Sequence, residues 1–394
     1  MKFEDVLDVT KKALAQSMGG EYMEQLGDLA ALDDAKLVDV GRGVLDGNGT
    51  TEKFTKALIS IVGRIEFDSR EYKISTPSIV VNAMDWGGFV EDVQFDISEN
   101  IMQDPMYSLV DGQSYAEAEH RFYQPKVAVK IFEEAKTFLI PVSITREILR
   151  EAFYSWDKLN SYISGIRNAI NTTKTVILET YSHMLLSAAA ANSIAGTQTA
   201  VNLLALAKSE GVVDASMTPA QAVIDETFLT YCTKKIGLWR KYMERFTKGA
   251  FNNGNIPTFT PDADNNLVLL AEFAANIKTI VKANDEFIGV GKYESVAAWQ
   301  AFKETNAANF NFVTDSTISI AADSTEKLGI GAEEFTQAYV VGICYDKKAL
   351  GVCPYRVKTT QSYTAIGDFS NTFTHLMFNY KLNNSYNIVA FYLA

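Results

Sequence analysis

The chain has 394 residues, 47% hydrophobic and 21% charged, with a formal net charge of −12. That length builds two or three compact units or one elongated multi-lobed subunit, and the hydrophobic share excludes disorder as the default. The acidic balance argues against gripping nucleic-acid phosphates as a main task, because that needs clustered Lys and Arg.

In chain order, residues 1–67 read as an N-terminal arm with short helices. The opening MKFEDVLDVTKKALAQ is amphipathic and has no apolar signal core, and no window approaches the roughly 18 apolar residues of a membrane span. The sequence therefore reads as made and kept in a cytoplasm, and three cysteines are too few for a secreted disulfide framework. Phe54, Leu58, Ile61, Val62 and Ile65 share one helical face. The glycine-rich GRGVLDGNGT from Gly41 lacks the Gly-Lys-Ser/Thr ending of a phosphate loop and reads as a flexible joint.

Residues 68–140 switch to period two. Val93, Phe95 and Ile97 alternate with Gln94 and Asp96, and Val127, Val129 and Ile131 form the return. The polar stretch Glu99 to Arg121 lies between them, with Pro105 and Gly112 as breakers. A hairpin of two strands is marginal alone and needs a partner surface.

Ser155 to Ala191 is the longest regular element. Trp156, Leu159, Ile163, Ile166, Ile170, Ile177, Tyr181, Met184 and Ala188 keep one stripe on a helix with no proline in it. Ser155 is the N-cap, Asp157 suits the dipole of the first turn, and the length would be about 55 Å. Trp156, Ile163, Ile166 and Ile170 are the expected packing seam.

Thr218-Pro219 opens a second helix, to about Thr247, with Phe228, Tyr231, Leu238, Trp239 and Tyr242 on one broad side. Lys234, Lys235, Arg240, Lys241 and Arg245 read as a solvated face. A buried strand is expected at Asn266 to Leu270, a helix from there to about Lys282, and strands near Phe310 to Val313 and Thr317 to Ile320. Tyr339 to Val357 reads as a hairpin turning at Asp346 to Leu350, with Cys344 and Cys353 as buried small hydrophobes. The run Ile388 to Leu393 is too apolar to hang free and is expected to pack as a strand beside the long helix.

No constellation for chemistry stands out. His120, His183 and His375 lack metal-ligand spacing, no nucleophile elbow occurs, and the paired Glu133-Glu134 and Glu333-Glu334 cannot share a site on strands. No cofactor, metal site or catalytic residue is assigned.

Ala152, Phe153, Ser155 and Trp156, then Ser161 to Ser164, Ile166 and Asn168 to Ile170, preceded by Phe122, Pro125 and Val127, resemble the major capsid protein of small short-tailed bacteriophages of the Picovirinae or Salasvirus type. The resemblance implies an α+β subunit of the Hong Kong 97 type. Its parts would be an arm (1–67), an E-loop (68–140), a peripheral domain with the spine helix (141–215), an axial domain (216–345) and a C-terminal return (346–394). It implies assembly into pentamers and hexamers of an icosahedral shell, with Glu117, Glu119, Arg121 and Phe122 near the E-loop tip meeting a neighbour. A separate scaffolding protein and a portal would be partners, and the shell would enclose double-stranded DNA without sequence-specific binding and without a membrane. The virion would be the final location and the host bacterial cytoplasm the place of assembly. Two other readings stay open at this point: an encapsulin-like cargo shell, and a cytoplasmic enzyme with a site assembled from distant residues.

Overall fold

The computed structural model describes residues 12–14, 38, 40–42, 44, 53–54, 76, 79–80, 90–95, 127–132, 135–196, 199–254, 256–280, 293–299, 317–320, 334–364 and 366–394. Two sheets and one long helix carry the architecture. Strands β1 (Val90–Phe95) and β2 (Val127–Phe132) form an antiparallel ladder in which Val93 faces Val129 and Phe95 faces Val127. Next come β3 (Ala135–Thr145), a short helix α1 (Arg146–Ala152) and the long helix α2 (Trp156–Ala195).

Helix α2 has 40 residues, about 60 Å at about 1.5 Å per residue. Its start follows the local chemistry: the Ser155 hydroxyl accepts from Lys158 N, and Asp157 sits in the first turn. The chain stays helical four residues past the expected end at Ala191. In the first half a single stripe is buried, at Leu159, Ile163, Arg167 and Ile170. From Ile177 to Ser193 every residue is buried, so the expectation of one stripe holds only for the first half. The second half carries Ala188 to Ala191, whose small side chains let sheets approach on more than one side. A helix enclosed all round has no polar face to offer.

One of those sheets is antiparallel, in the order β12 (Leu350–Thr364), β13 (Phe369–Leu382), β3. Ser370, Thr372, Thr374, Leu376 and Phe378 alternate inward along β13. At its inner end Tyr181 of the helix meets Phe378 at 4.8 Å and Phe138 of β3 at 5.5 Å between ring centroids, both edge-on, while the two phenylalanines stack. Such pairs add about 1 kcal/mol each beyond burial.

The other sheet has five strands in the order β4 (Ala200–Asn202), β14 (Ile388–Tyr392), β11 (Val340–Asp346), β7 (Asn265–Leu270), β8 (Glu294–Val296). The last apolar run thus lies inside a sheet, parallel to β4 and antiparallel to β11, with α2 packed on it. Helix α3 (Leu203–Ser209), the single turn α4 (Pro219–Ala222), α5 (Glu226–Met243) and α6 (Ala271–Ile280) complete the lobe. Two small ladders flank it: β5 (Thr247–Lys248) with β6 (Pro257–Thr258), and β9 (Ile318–Ile320) with β10 (Phe335–Gln337).

Four expectations change. The helix expected from Thr218 to about Thr247 is two, because the Asp225 carboxylate caps Phe228 N at 2.7 Å and starts a new one. The hairpin expected at Asp346 to Leu350 is a turn whose strands part: β11 enters the five-stranded sheet and β12 the three-stranded one. Of the joint expected over residues 41–50, Gly41, Arg42 and Val44 are helical and the rest lies outside the described residues; a Cβ at Gly41 would meet the Phe153 Cβ at 2.6 Å. Glycine is there for close packing. Arg240, expected on a solvated face, is buried, whereas Leu238 and Tyr242, on the broad apolar side of the expected helix, are 40% and 39% exposed. The expected strand at residues 310–313 lies outside the described residues.

Candidate subunit interface

The β1–β2 ladder has two unlike faces, because alternate residues of a strand point opposite ways. One carries Val93, Val127, Val129 and Ile131, exposed by 46%, 48%, 52% and 52%. Four branched apolar side chains on one open face form an exposed apolar row. The other face is anchored to the body. Lys381 Nζ lies 3.2 and 3.3 Å from the two Asp92 carboxylate oxygens, and Asn383 Nδ2 donates to Asp92 at 3.1 Å. Gln94 hydrogen-bonds Tyr386.

Of the residues expected to carry packing, Ile163 is fully buried and Ile170 is 3% exposed, while Ile166 is half-buried. Arg167, one position on, is 1% exposed and occupies the buried stripe between them. Trp156 opens α2. Glu117, Glu119, Arg121 and Phe122 lie outside the described residues. Sequence reasoning passed over Asp92, Lys381 and Asn383. The one available signal was a lone Asp and a lone Lys within strands that otherwise alternate, and their separation in sequence hid the pairing.

A second polar knot, buried except at Asp262, ties the five-stranded sheet to the end of α5. Arg240 Nη2 contacts the Asp262 carboxylate at 3.2 Å and donates to the Asn265 carbonyl at 3.1 Å. Thr260 Oγ1 donates to Asp346 at 2.8 Å, and Asn387 Nδ2 donates to Thr260. Burial pushes the Asp346 carboxyl up, against hydrogen bonds from Lys348 N and Thr260 that pull it down. Every partner there belongs to the subunit's own frame, so the knot braces the fold. His183, buried on α2 with Nε2 3.9 Å from the Glu179 carboxylate, has its pKa lowered by burial, with Glu179 opposing. Thr360 Oγ1 and His375 Nε2 share a hydrogen bond across β12 and β13. Among the described residues no group of three His, Cys, Asp or Glu is placed to hold a metal.

A structure with a helix this long, an anchored hairpin and an open apolar row has the parts of a subunit built to tile. Residues 12–392 match the model of the family described as Phi29-like phage major capsid protein. The chain belongs to that family. The major capsid protein is similar in structure to one described as the capsid of Staphylococcus phage Andhra, at 10% identity over 84% of this chain and 88% of that chain, with a TM-score of 0.55. A structure from native bacteriophage P68, described by its head fiber and inner core protein, matches at 11% identity over 84% of this chain and 88% of that one, with a TM-score of 0.49. No curated protein sequence matches.

The fold is of the Hong Kong 97 type. This capsid subunit is a structural protein of a tailed bacteriophage, not an enzyme, and it assembles into the oligomeric shell of the virion. Membership in this family sets aside the cargo-compartment and enzyme readings.

Proposed function

We propose that the capsid subunit tiles into pentamers and hexamers by laying the β1–β2 hairpin of one copy on the body of the next. The single observation that carries this is the exposed row Val93, Val127, Val129 and Ile131 on an otherwise anchored hairpin. A second copy is the occupant that fits, because one contact repeated head to tail closes into rings and gives every hairpin a partner. Covering side chains already half-buried contributes about 1 kcal/mol each, which matters only when summed over a shell.

On this reading residues 1–67 are the arm, 68–140 the E-loop, 141–215 the peripheral domain, 216–345 the axial domain and 346–394 the return. Glu117, Glu119, Arg121 and Phe122 make neighbour contacts near the hairpin tip, and Trp156, Ile163, Ile166 and Ile170 hold the spine helix in its seat. A separate scaffolding protein directs closure, a portal occupies one vertex, and assembly takes place in the host bacterial cytoplasm. The net charge of −12 suits a wall that confines double-stranded DNA without sequence-specific contact.

The test is Val129→Lys. A lysine on the open face leaves the subunit folded but cannot be buried in a contact without desolvating its charge. Folded subunits that no longer enter shells are expected; normal shells would sink the hairpin contact.

A further inference from the structure

The hairpin's anchor has a charge arrangement that its exposed face does not explain. Asp92 is paired across the ladder with Lys130, and it also holds Lys381 and Asn383 of β13 and the segment after it. The carboxylate is in direct contact with the Lys381 ammonium, while that of Lys130 lies over the Phe132 ring at 5.2 Å, and the side chains of Lys381 and Asp92 are only 10% and 14% exposed. Burial lowers the Lys130 pKa while Asp92 opposes that, so the field of Asp92 reaches both cations. A surface ion pair contributes little and is screened by salt; a pair this enclosed leaves an uncompensated buried charge when one partner is lost. A two-stranded ladder has no internal means of fixing its direction.

We propose that Asp92, Lys381 and Asn383 are positioning residues that set the angle at which the hairpin leaves the subunit, and so present Val93, Val127, Val129 and Ile131 to the next copy. The proposal rests on the reading of the hairpin as the arm between subunits. Its physical content is that the arm is oriented before a neighbour arrives, which removes an ordering cost from each contact.

The experiment uses the full chain, with Asp92→Asn, Lys381→Met and the exchanged pair Asp92→Lys with Lys381→Asp. Hydrogen exchange is followed in the unassembled subunit, and shell formation is scored by sedimentation and electron microscopy under conditions in which the wild-type chain assembles. Each single variant is expected to exchange the β1 and β2 amides at least about tenfold faster with α2 unchanged, and to form shells about tenfold more slowly. The exchanged pair keeps the ion pair between positions 92 and 381 but opposes two cations across the ladder and removes the Asn383 acceptor, so it is expected to exchange and assemble about threefold closer to wild type than either single variant without reaching it. Unchanged hairpin exchange in the single variants, or an exchanged pair no better than they are, would overturn the proposal. Should a single variant fail to fold, Asn383→Ala removes one donor and leaves the ion pair; about threefold faster hairpin exchange is then expected, and none would overturn it. If Val129→Lys assembles normally, the arm reading itself fails; if Val129→Lys blocks assembly while the Asp92 and Lys381 variants do not, only the positioning role fails.

Discussion

Position 183 holds a histidine that α2 carries into the interior, beside Glu179. Its folded pKa lies below the ordinary 6.5, with burial the larger cause and Glu179 opposing. The unfolded chain therefore takes up the proton first, so the contribution to stability is present above the unfolded value and lost as pH falls below it. Thermal melting of the unassembled subunit between about pH 7.5 and about pH 5.5 is expected to fall less for His183→Gln than for wild type. An equal fall would place the acid sensitivity elsewhere. The three cysteines make a second case: all are buried and unpaired, and burial pushes the Cys344 thiol up to about 12. No alkylation at neutral pH is expected until the chain unfolds, and rapid labelling of the folded subunit would contradict the packing around α5, β11 or β12.

Two substitutions one turn apart on α2 should separate folding from assembly. Ile163 is fully buried and Ile166 half-buried. Ile163→Asp places a carboxylate in the core and is expected to abolish the soluble subunit, a loss of about 4 kcal/mol or more. Ile166→Asp is expected to keep circular dichroism near wild type and to lose shells; normal shells would refute the seam. Farther along the helix, Tyr181→Ala removes the ring that joins Phe138 to Phe378, at a cost of about 3–5 kcal/mol. Melting of that variant within a degree or two of wild type would show that the three-stranded sheet does not depend on the spine.

The whole molecule is held by pairings between distant parts of the chain, and its business is contact with copies of itself. Electron microscopy of the chain expressed alone is expected to show open or irregular assemblies, with closed shells appearing when a scaffolding protein is supplied. Closed uniform shells from the chain alone would count against a separate scaffold. The exposed hairpin row is apolar, so if it carries the contact between copies, as proposed, raising salt to about 0.5 M is expected to leave preformed shells intact, whereas disassembly would point to exposed ion pairs as the main cement.

Much of this was legible from local pattern. The cap at Ser155, the stripe through Ile163 and Ile170, the hydroxyl cap and proline at Thr218-Pro219 and the alternation at Val93 and Val129 are short-range features, and the backbone obeys them because their hydrogen bonds and periodicities are satisfied within a few residues. Tertiary structure decided what such patterns leave degenerate. Asp346 to Leu350 could close a hairpin or divide two sheets, and the division followed from which strands lay alongside. Arg240 went inside because Asp262 and the Asn265 carbonyl could receive it, whereas Leu238 on the same helix stays 40% exposed. Asp92 and Lys381 pair across most of the sequence. A local pattern specifies how a segment folds and which faces are apolar; which partner a face or a charge receives depends on distant segments brought close only by the fold.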